Sequence, residues 1–183
     1  RIFTNRGESE NPGQNIYPYK YRLLFDRATP EQGSPVVGIP RVLNLYENYP
    51  FWHALFTRCG IRVVLSDLST FVSYEKALHT VMSDNICFPA KLVHSHIQNL
   101  VQKKVDRIFL PYVVYEHESD EKMSNSYTCP IVAGYSDVIR SAMSPDIPVD
   151  SPAITFADID LLTKQCTRYL ATLGIPHEQA REA

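Results

Sequence analysis

The chain alternates short apolar runs of strand type with longer segments in which apolar residues recur every three or four positions. The runs at 36–40, 61–65 and 106–110 contain valine, isoleucine and leucine, a composition typical of β-strands. The segments at 50–59 and 89–101 have the period of amphipathic helices. Alternation of this kind predicts βαβ units around a parallel sheet. We therefore predict an α/β fold, a Rossmann-like three-layer sandwich with a mostly parallel sheet.

The length of 183 residues predicts one globular domain with an appendage. Residues 1–35 are polar and interrupted by prolines, so we expect an N-terminal arm with a short helix or strand near 19–26. The α/β domain is expected over 36–175, and 176–183 would begin a following segment. The chain starts at Arg1 without the apolar stretch of a signal peptide, so we expect a cytoplasmic piece of a longer polypeptide.

Prolines, glycines and polar caps predict the other element boundaries. Three helices are expected in the first part of the chain: one with Pro50 in its first turn, one over 71–83, and one opened by Pro89. The polar stretch 115–128 is expected to be a loop. The last elements are expected to be a short helix over 136–143 with Ser136 as its N-cap, a strand over 153–156, and a helix from Asp158 to Gly174.

The composition excludes several classes of function. There are 18 basic and 20 acidic residues and a net charge of −2, whereas a nucleic-acid-binding surface calls for a basic face. No apolar run approaches the ~20 residues that cross a bilayer. The seven glycines form neither a dinucleotide-binding motif nor a P-loop, so no ATP site is expected in this chain. We expect neither nucleic acid nor a membrane as a partner.

Four cysteines are present, and no two of them have the spacing of a zinc ribbon or a thioredoxin motif. They are too few for a disulfide scaffold, so we expect free thiols in a reducing compartment. Cys59 and Cys166 lie in apolar helical runs and are expected to be buried structural thiols.

Cys87 and Cys129 each lie just before a proline, Pro89 or Pro130, at a predicted helix start or turn. The positive end of a helix favours a thiolate, and thiolates bind iron. Cysteine followed by proline also recurs at iron–sulfur ligands. Two readings remain open: a pair of iron ligands, or two thiols packed behind strand ends. Two cysteines are half of the four thiolates that a [4Fe–4S] cluster usually takes.

Polar segments at 41–50, 66–70 and 111–130 follow the predicted strands, and ligands of parallel sheets gather at that edge. The polar residues after the first strand, which cap the next helix or contact a ligand, are Asn44, Tyr46, Glu47 and Asn48. The acidic loop is expected to be a solvated surface, and it contains Glu116, His117, Glu118, Asp120 and Glu121.

The helix that follows Cys87 carries three more candidates. Lys91 supports a thiolate, meets an anionic ligand, or is simply solvated. His94 and His96 are two positions apart, so they point away from each other and do not share a metal ion. We expect one of these histidines at the boundary of the core and the other in solvent.

Three long runs in this sequence match a known family. They are GIPRVLNLYENYPFW (38–52), CFPAKLVHSH (87–96) and CPIVAGY (129–135). Over roughly 15–175, the chain resembles a domain of the CoA-substrate-specific enzyme activases, which are related to the 2-hydroxyglutaryl-CoA dehydratase activator.

The resemblance implies that this domain is similar to the dehydratase subunit family and has Rossmann-like α/β subdomains. Separate domains of the same polypeptide would carry the ATP-binding activator. The implied role is in ATP-driven single-electron delivery for acyl-CoA dehydration in anaerobic metabolism. Cys87 and Cys129 would be the cluster ligands, and other domains or subunits would complete a [4Fe–4S] cluster.

Two hypotheses follow. In the leading one, this dehydratase-like domain binds or relays electrons to an iron–sulfur cluster through Cys87 and Cys129. In the alternative, it is a binding module without a cluster, which docks an acyl-CoA or a dehydratase partner or domain. The residues that would line that cleft are Asn44, Tyr46, Glu47 and Lys91. The sequence does not assign a catalytic residue.

Overall fold

The computed structural model describes residues 15–118, 120 and 125–183. The helices are α1 (Tyr17–Phe25), α2 (Leu45–Arg58), α3 (Phe71–Ala77), α4 (Phe88–Gln102), α5 (Pro130–Met143), α6 (Ile159–Thr172) and α7 (His177–Glu182). The strands are β1 (Val36–Ile39), β2 (Arg62–Leu65), β3 (Arg107–Phe109), β4 (Tyr112–Tyr115), β5 (Val149–Asp150) and β6 (Ala153–Thr155).

The main sheet has four parallel strands in the order β2-β1-β3-β5. The chain moves from β1 outward to β2, returns across β1 to β3, and then continues to β5. The direction of winding therefore reverses between β1 and β3, which is the switch point at which ligands of such sheets bind. This order confirms the predicted α/β sandwich with a mostly parallel sheet.

Because crossovers between parallel strands are right-handed in nearly all proteins, this strand order places helices on both faces of the sheet. On one face, the rings of Trp52 and Phe56 from α2 and Tyr169 from α6 surround Phe109 of β3, with centroids 4.6, 5.1 and 5.1 Å away. On the other face α4 packs against α5. Helix α7 packs against α6 and buries Ala180. None of the helices within the described ranges is both long and apolar enough to span a membrane.

A second parallel sheet of two strands, β4 and β6, extends half of the main sheet. The Leu110 N–H donates to the carbonyl of Asp150 and the Tyr112 N–H to that of Pro152, at 2.8 and 2.9 Å. The pairing of β3 with β5 thus continues past Pro111, which has no N–H to donate, into the pairing of β4 with β6. These two strands project beyond the carboxyl edge of the main sheet.

Two predicted helix starts are wrong. Helix α2 begins at Leu45, so Pro50 lies inside it rather than in its first turn. Burial of Leu45 and Tyr49, each at most 2% exposed, outweighs the one helical hydrogen bond that Pro50 removes. Helix α5 begins at Pro130, a favoured first position, and Ser136 is buried within it rather than capping it.

Other boundaries differ less. The helix expected over 71–83 ends at Ala77 and continues only as a 3₁₀ turn, Leu78–Thr80. The loop expected over 115–128 holds the end of β4, and Tyr127 forms a bridge to Tyr115 within it. Asp158 caps α6 as predicted, because its carboxylate accepts the N–H of Leu161 at 2.8 Å.

The structure predicts opposite effects for the same glycine-to-alanine change at two positions. In Gly38→Ala on β1, the new Cβ would lie 2.9 Å from Cγ2 of Val105 and 3.0 Å from Cδ2 of Leu100, so we expect a loss of about 1–3 kcal/mol. Gly134→Ala is the matched control, since no atom beyond its own stretch of helix lies within 4 Å of the new Cβ and alanine favours helices. We expect it to stabilise the protein by up to about 1 kcal/mol. Urea denaturation measures both, and equal effects would contradict the packing described.

Candidate functional site

Cys87 and Cys129 lie at the N-cap positions of α4 and α5. Both backbones are extended there, and each helix has a proline in its first two positions, so the chain enters both helices in the same way. Both thiols are free and exposed. A helix N-terminus carries about half a positive charge, which stabilises a thiolate or an anionic group bound to it. A helix therefore starts directly after each cysteine, although the start of α5 was predicted at Ser136.

Helices α4 and α5 run side by side and parallel, because they lead into the adjacent parallel strands β3 and β5. A hydrogen bond of 3.0 Å between His94 and Tyr135 joins them. At 1.5 Å per residue, Cys87 lies about 10 Å and Cys129 about 9 Å before this bond along their helices. Packed helix axes are about 8–10 Å apart, so both cysteines lie at one level on the carboxyl edge of the sheet.

The hydrogen bonds around His94 define its protonation. The Thr80 hydroxyl donates its one hydrogen to the carbonyl of Ala77 at 2.7 Å, so it accepts from Nδ1–H of His94 at 2.8 Å. Nε2 of His94 then accepts from the Tyr135 hydroxyl. Burial lowers the pKa of His94, while burial and then the nearby Cys87 thiol raise the pKa of Tyr135 to about 12. Both side chains are therefore neutral at pH 7.

His96 occupies a different environment from His94. Its Nδ1 is hydrogen-bonded to Ser66 at 2.7 Å and its Nε2 to Ser69 at 2.8 Å. Burial, and then the charge of Arg41, lower the pKa of His96 to about 4. The expectation that one histidine lies at the core boundary and the other in solvent is wrong, because both are at most 2% exposed. Serine, threonine and tyrosine hydroxyls satisfy all four ring nitrogens, so both histidines are buried without an unsatisfied polar group.

The polar residues after β1 have partners within the protein. Asn44 and Asn48 donate to the Glu116 carboxylate at 3.1 Å each, across the switch point between β1 and the β3–β4 segment. Asn44 precedes α2 but its side chain makes no capping bond. Glu116 is half-buried and bound, so the acidic loop is not wholly a solvated surface; Glu121 lies outside the described residues.

Helix α1 covers the same edge beside β1. Glu47 forms an exposed ion pair with Lys20 at 2.7 Å, and Tyr46 packs edge-on against Phe25 with centroids 4.7 Å apart. The guanidinium of Arg41, in the loop after β1, lies 4.9 Å from the centroid of the Phe25 ring. The expected short helix near 19–26 is therefore present, and it contacts two of the residues predicted to line a ligand cleft, Tyr46 and Glu47.

Lys91 is half-buried and donates to the carbonyl of Asp84 at 2.9 Å, which ties the loop before Cys87 to α4. Helices α2 and α4 lie on opposite faces of the sheet, so Lys91 approaches the carboxyl edge from the face opposite to Asn44, Tyr46 and Glu47.

No group of three His, Cys, Asp or Glu side chains within residues 15–118, 120 and 125–183 has an arrangement that holds a metal ion. Cys87 and Cys129 would supply two thiolates, the ligand type that suits iron–sulfur clusters. These two cysteines would therefore supply two of the four thiolates that such a cluster usually takes.

Sequence reasoning did not identify Tyr135, Thr80, Ser66 or Ser69 as partners of the two histidines. A signal was available for Tyr135 alone, since it lies in the CPIVAGY run that begins at Cys129. The serines and Thr80 are common surface residue types, and only the fold places them beside α4.

The four thiols should react in two classes. A thiol-specific chromogenic reagent should modify Cys87 and Cys129 quickly. Cys59 and Cys166 should react only on unfolding, because both are buried and burial raises the pKa of each, that of Cys166 to about 12. The Cys87→Ser, Cys129→Ser variant should lose the fast phase. Fast reaction of more than two thiols in the native protein would contradict this assignment.

The protein should become less stable as the pH falls from about 6.5 towards 4. The pKa of His96 is lower in the folded state, so the unfolded state binds more protons in this window. His96 should therefore remove about 2 kcal/mol of the unfolding free energy between pH 7 and pH 5. Urea denaturation at both pH values should show a smaller difference for His96→Gln. An unchanged difference would show that His96 is not the group responsible.

A comparison with known families matches residues 36–183, most of the chain, to one family. No curated protein and no solved structure matches the chain closely enough to add a relative. The match confirms the family resemblance that the three sequence runs carry. This chain belongs to the family described as the CoA enzyme activase uncharacterised domain.

Proposed function

We propose that this domain contributes Cys87 and Cys129 as two ligands of an iron–sulfur cluster in a CoA enzyme activase system. Other domains of the same polypeptide, or a second subunit, supply the remaining ligands. The observation that carries the proposal is the pair of exposed thiols at the N-termini of two adjacent parallel helices. A bound cluster supplies one-electron transfer, which is the chemistry expected of this family.

The surroundings of the two cysteines suit a shared site. Two helix N-termini at one edge place their positive ends beside the two sulfur atoms and lower the free energy of an anionic group bound there. Pro89 and Pro130 keep the entry to each helix rigid. The exposure of both thiols leaves them accessible to ligands from another domain, as a shared cluster requires.

The rest of the carboxyl edge explains why the cluster would lie beside α4 and α5. Helix α1 and the bound Glu116 carboxylate occupy the edge next to β1. A carboxylate beside the cluster would disfavour the negative charge that a cluster–thiolate site carries. Glu116 bonds to the amides of Asn44 and Asn48 instead.

A cavity favours a second candidate function, the binding of an acyl group or of an apolar segment of a partner. It has a volume of about 450 Å³ and lies between α5 and the loop that leads to Cys87. Its lining includes the apolar residues Val81, Met82, Ile86 and Val138 together with Tyr135. Neither cysteine lines the cavity, although Ile86 directly precedes Cys87, so this function is compatible with a cluster.

Anaerobic reconstitution with ferrous iron and sulfide tests the proposal. The protein should bind both and develop thiolate–iron absorbance, and one-electron reduction should give an EPR signal. Because each chain offers two exposed cysteines, two copies together would offer four cysteine ligands. Iron content per chain and mass by gel filtration then show whether a second copy completes the site in isolation.

Cysteine variants give the decisive comparison. Cys87→Ser, Cys129→Ser should lose the bound iron, and each single variant should lose most of it. Cys59→Ala is the matched control, since this buried thiol lies at the end of α2 away from the pair, and it should keep the iron. Equal iron content in the double variant and the unmodified protein would overturn the proposal.

A further inference from the structure

A groove between α6 and α7 has the features of an anion-binding site. Its cavity has a volume of about 550 Å³, within the range of small-molecule sites. One face of α6 and the facing side of α7 line it. The polar lining residues are Asp160, Thr163, Lys164, Thr167, Arg168, His177 and Arg181.

The basic side chains of this groove have no partners in the described part of the chain. Lys164, Arg168 and Arg181 form no ion pair and donate no hydrogen bond there. By contrast, Lys103 on α4 and Arg107 on β3 bond to the carboxylates of Asp67 and Asp150. Three cations without ion-pair partners in the described residues thus line one concave surface.

We propose that this groove binds a small molecule with two adjacent phosphate groups, either free diphosphate or the diphosphate of a nucleotide. Guanidinium groups match phosphate oxygens in pairs, and two arginines with a lysine balance most of the charge of a diphosphate. Thr167, only 7% exposed, lies in the groove lining. Asp160 is the sole carboxylate in the lining, so it opposes anion binding at one position. The site does not involve the cysteines, so it stands or fails separately from the proposed function.

Isothermal titration calorimetry with pyrophosphate, ADP and adenosine tests the site. Pyrophosphate and ADP should bind, adenosine should not, and added salt should weaken binding because the cations are exposed. Equal affinity for the two anions identifies diphosphate alone as the determinant, whereas tighter ADP binding identifies a nucleotide. Absence of heat with both anions at millimolar concentration would overturn the proposal.

Charge variants test the location of the site. Arg168→Gln, Arg181→Gln should weaken pyrophosphate binding about tenfold, and Asp160→Asn should strengthen it about twofold. Lys76→Gln, on α3 away from the groove, is the matched control and should have no effect. These residues are exposed, and circular dichroism verifies that each variant is folded. If the arginine variant and the control bind alike, the site is elsewhere and the proposal fails.

Discussion

The hydrogen bond from the Tyr135 hydroxyl to Nε2 of His94 joins α4 and α5, and the position of the cysteine pair depends on how these helices pack. Both side chains are at most 1% exposed, so an unmade bond would leave a buried polar group unsatisfied at about 1–3 kcal/mol. Thr80 fixes the tautomer that lets His94 accept, and burial keeps both rings neutral. The helix N-termini, and therefore Cys87 and Cys129, lie at one level because this contact sets the register of the pair.

The strand order divides the carboxyl edge of the main sheet into two parts. Beside β1, helix α1 and the bound Glu116 occupy the switch point where a doubly wound sheet would hold a ligand. Beside β3 and β5, the two thiols are exposed, and a largely apolar cavity lies between α5 and the loop before Cys87. The exposed thiols therefore lie beside α4 and α5 on one face of the sheet, and not at the switch point beside β1. A shared cluster requires such an accessible edge, because its other ligands come from outside this domain.

The sequence predicted the α/β class and the two buried thiols because both depend on local patterns of apolar residues. It failed at Pro50 and Ser136, where burial of Leu45, Tyr49 and the α5 face outweighs local signals. The partners of His94 and His96 come from other elements, so no spacing rule identifies them. Whether a single polar residue is buried or exposed depends on such long-range contacts. The two cysteines, by contrast, were identified from a local signal, the proline that follows each of them.

The proposed cluster site requires Cys87 and Cys129 to lie close together at one edge of the sheet, and a distance measurement tests this most directly. Nitroxide labels react with the exposed cysteines while the buried Cys59 and Cys166 remain unlabelled. We predict strong dipolar broadening in the EPR spectrum of the doubly labelled protein, because the helix axes are about 8–10 Å apart. A spectrum equal to the sum of the two singly labelled variants, Cys87→Ser and Cys129→Ser, would contradict the account.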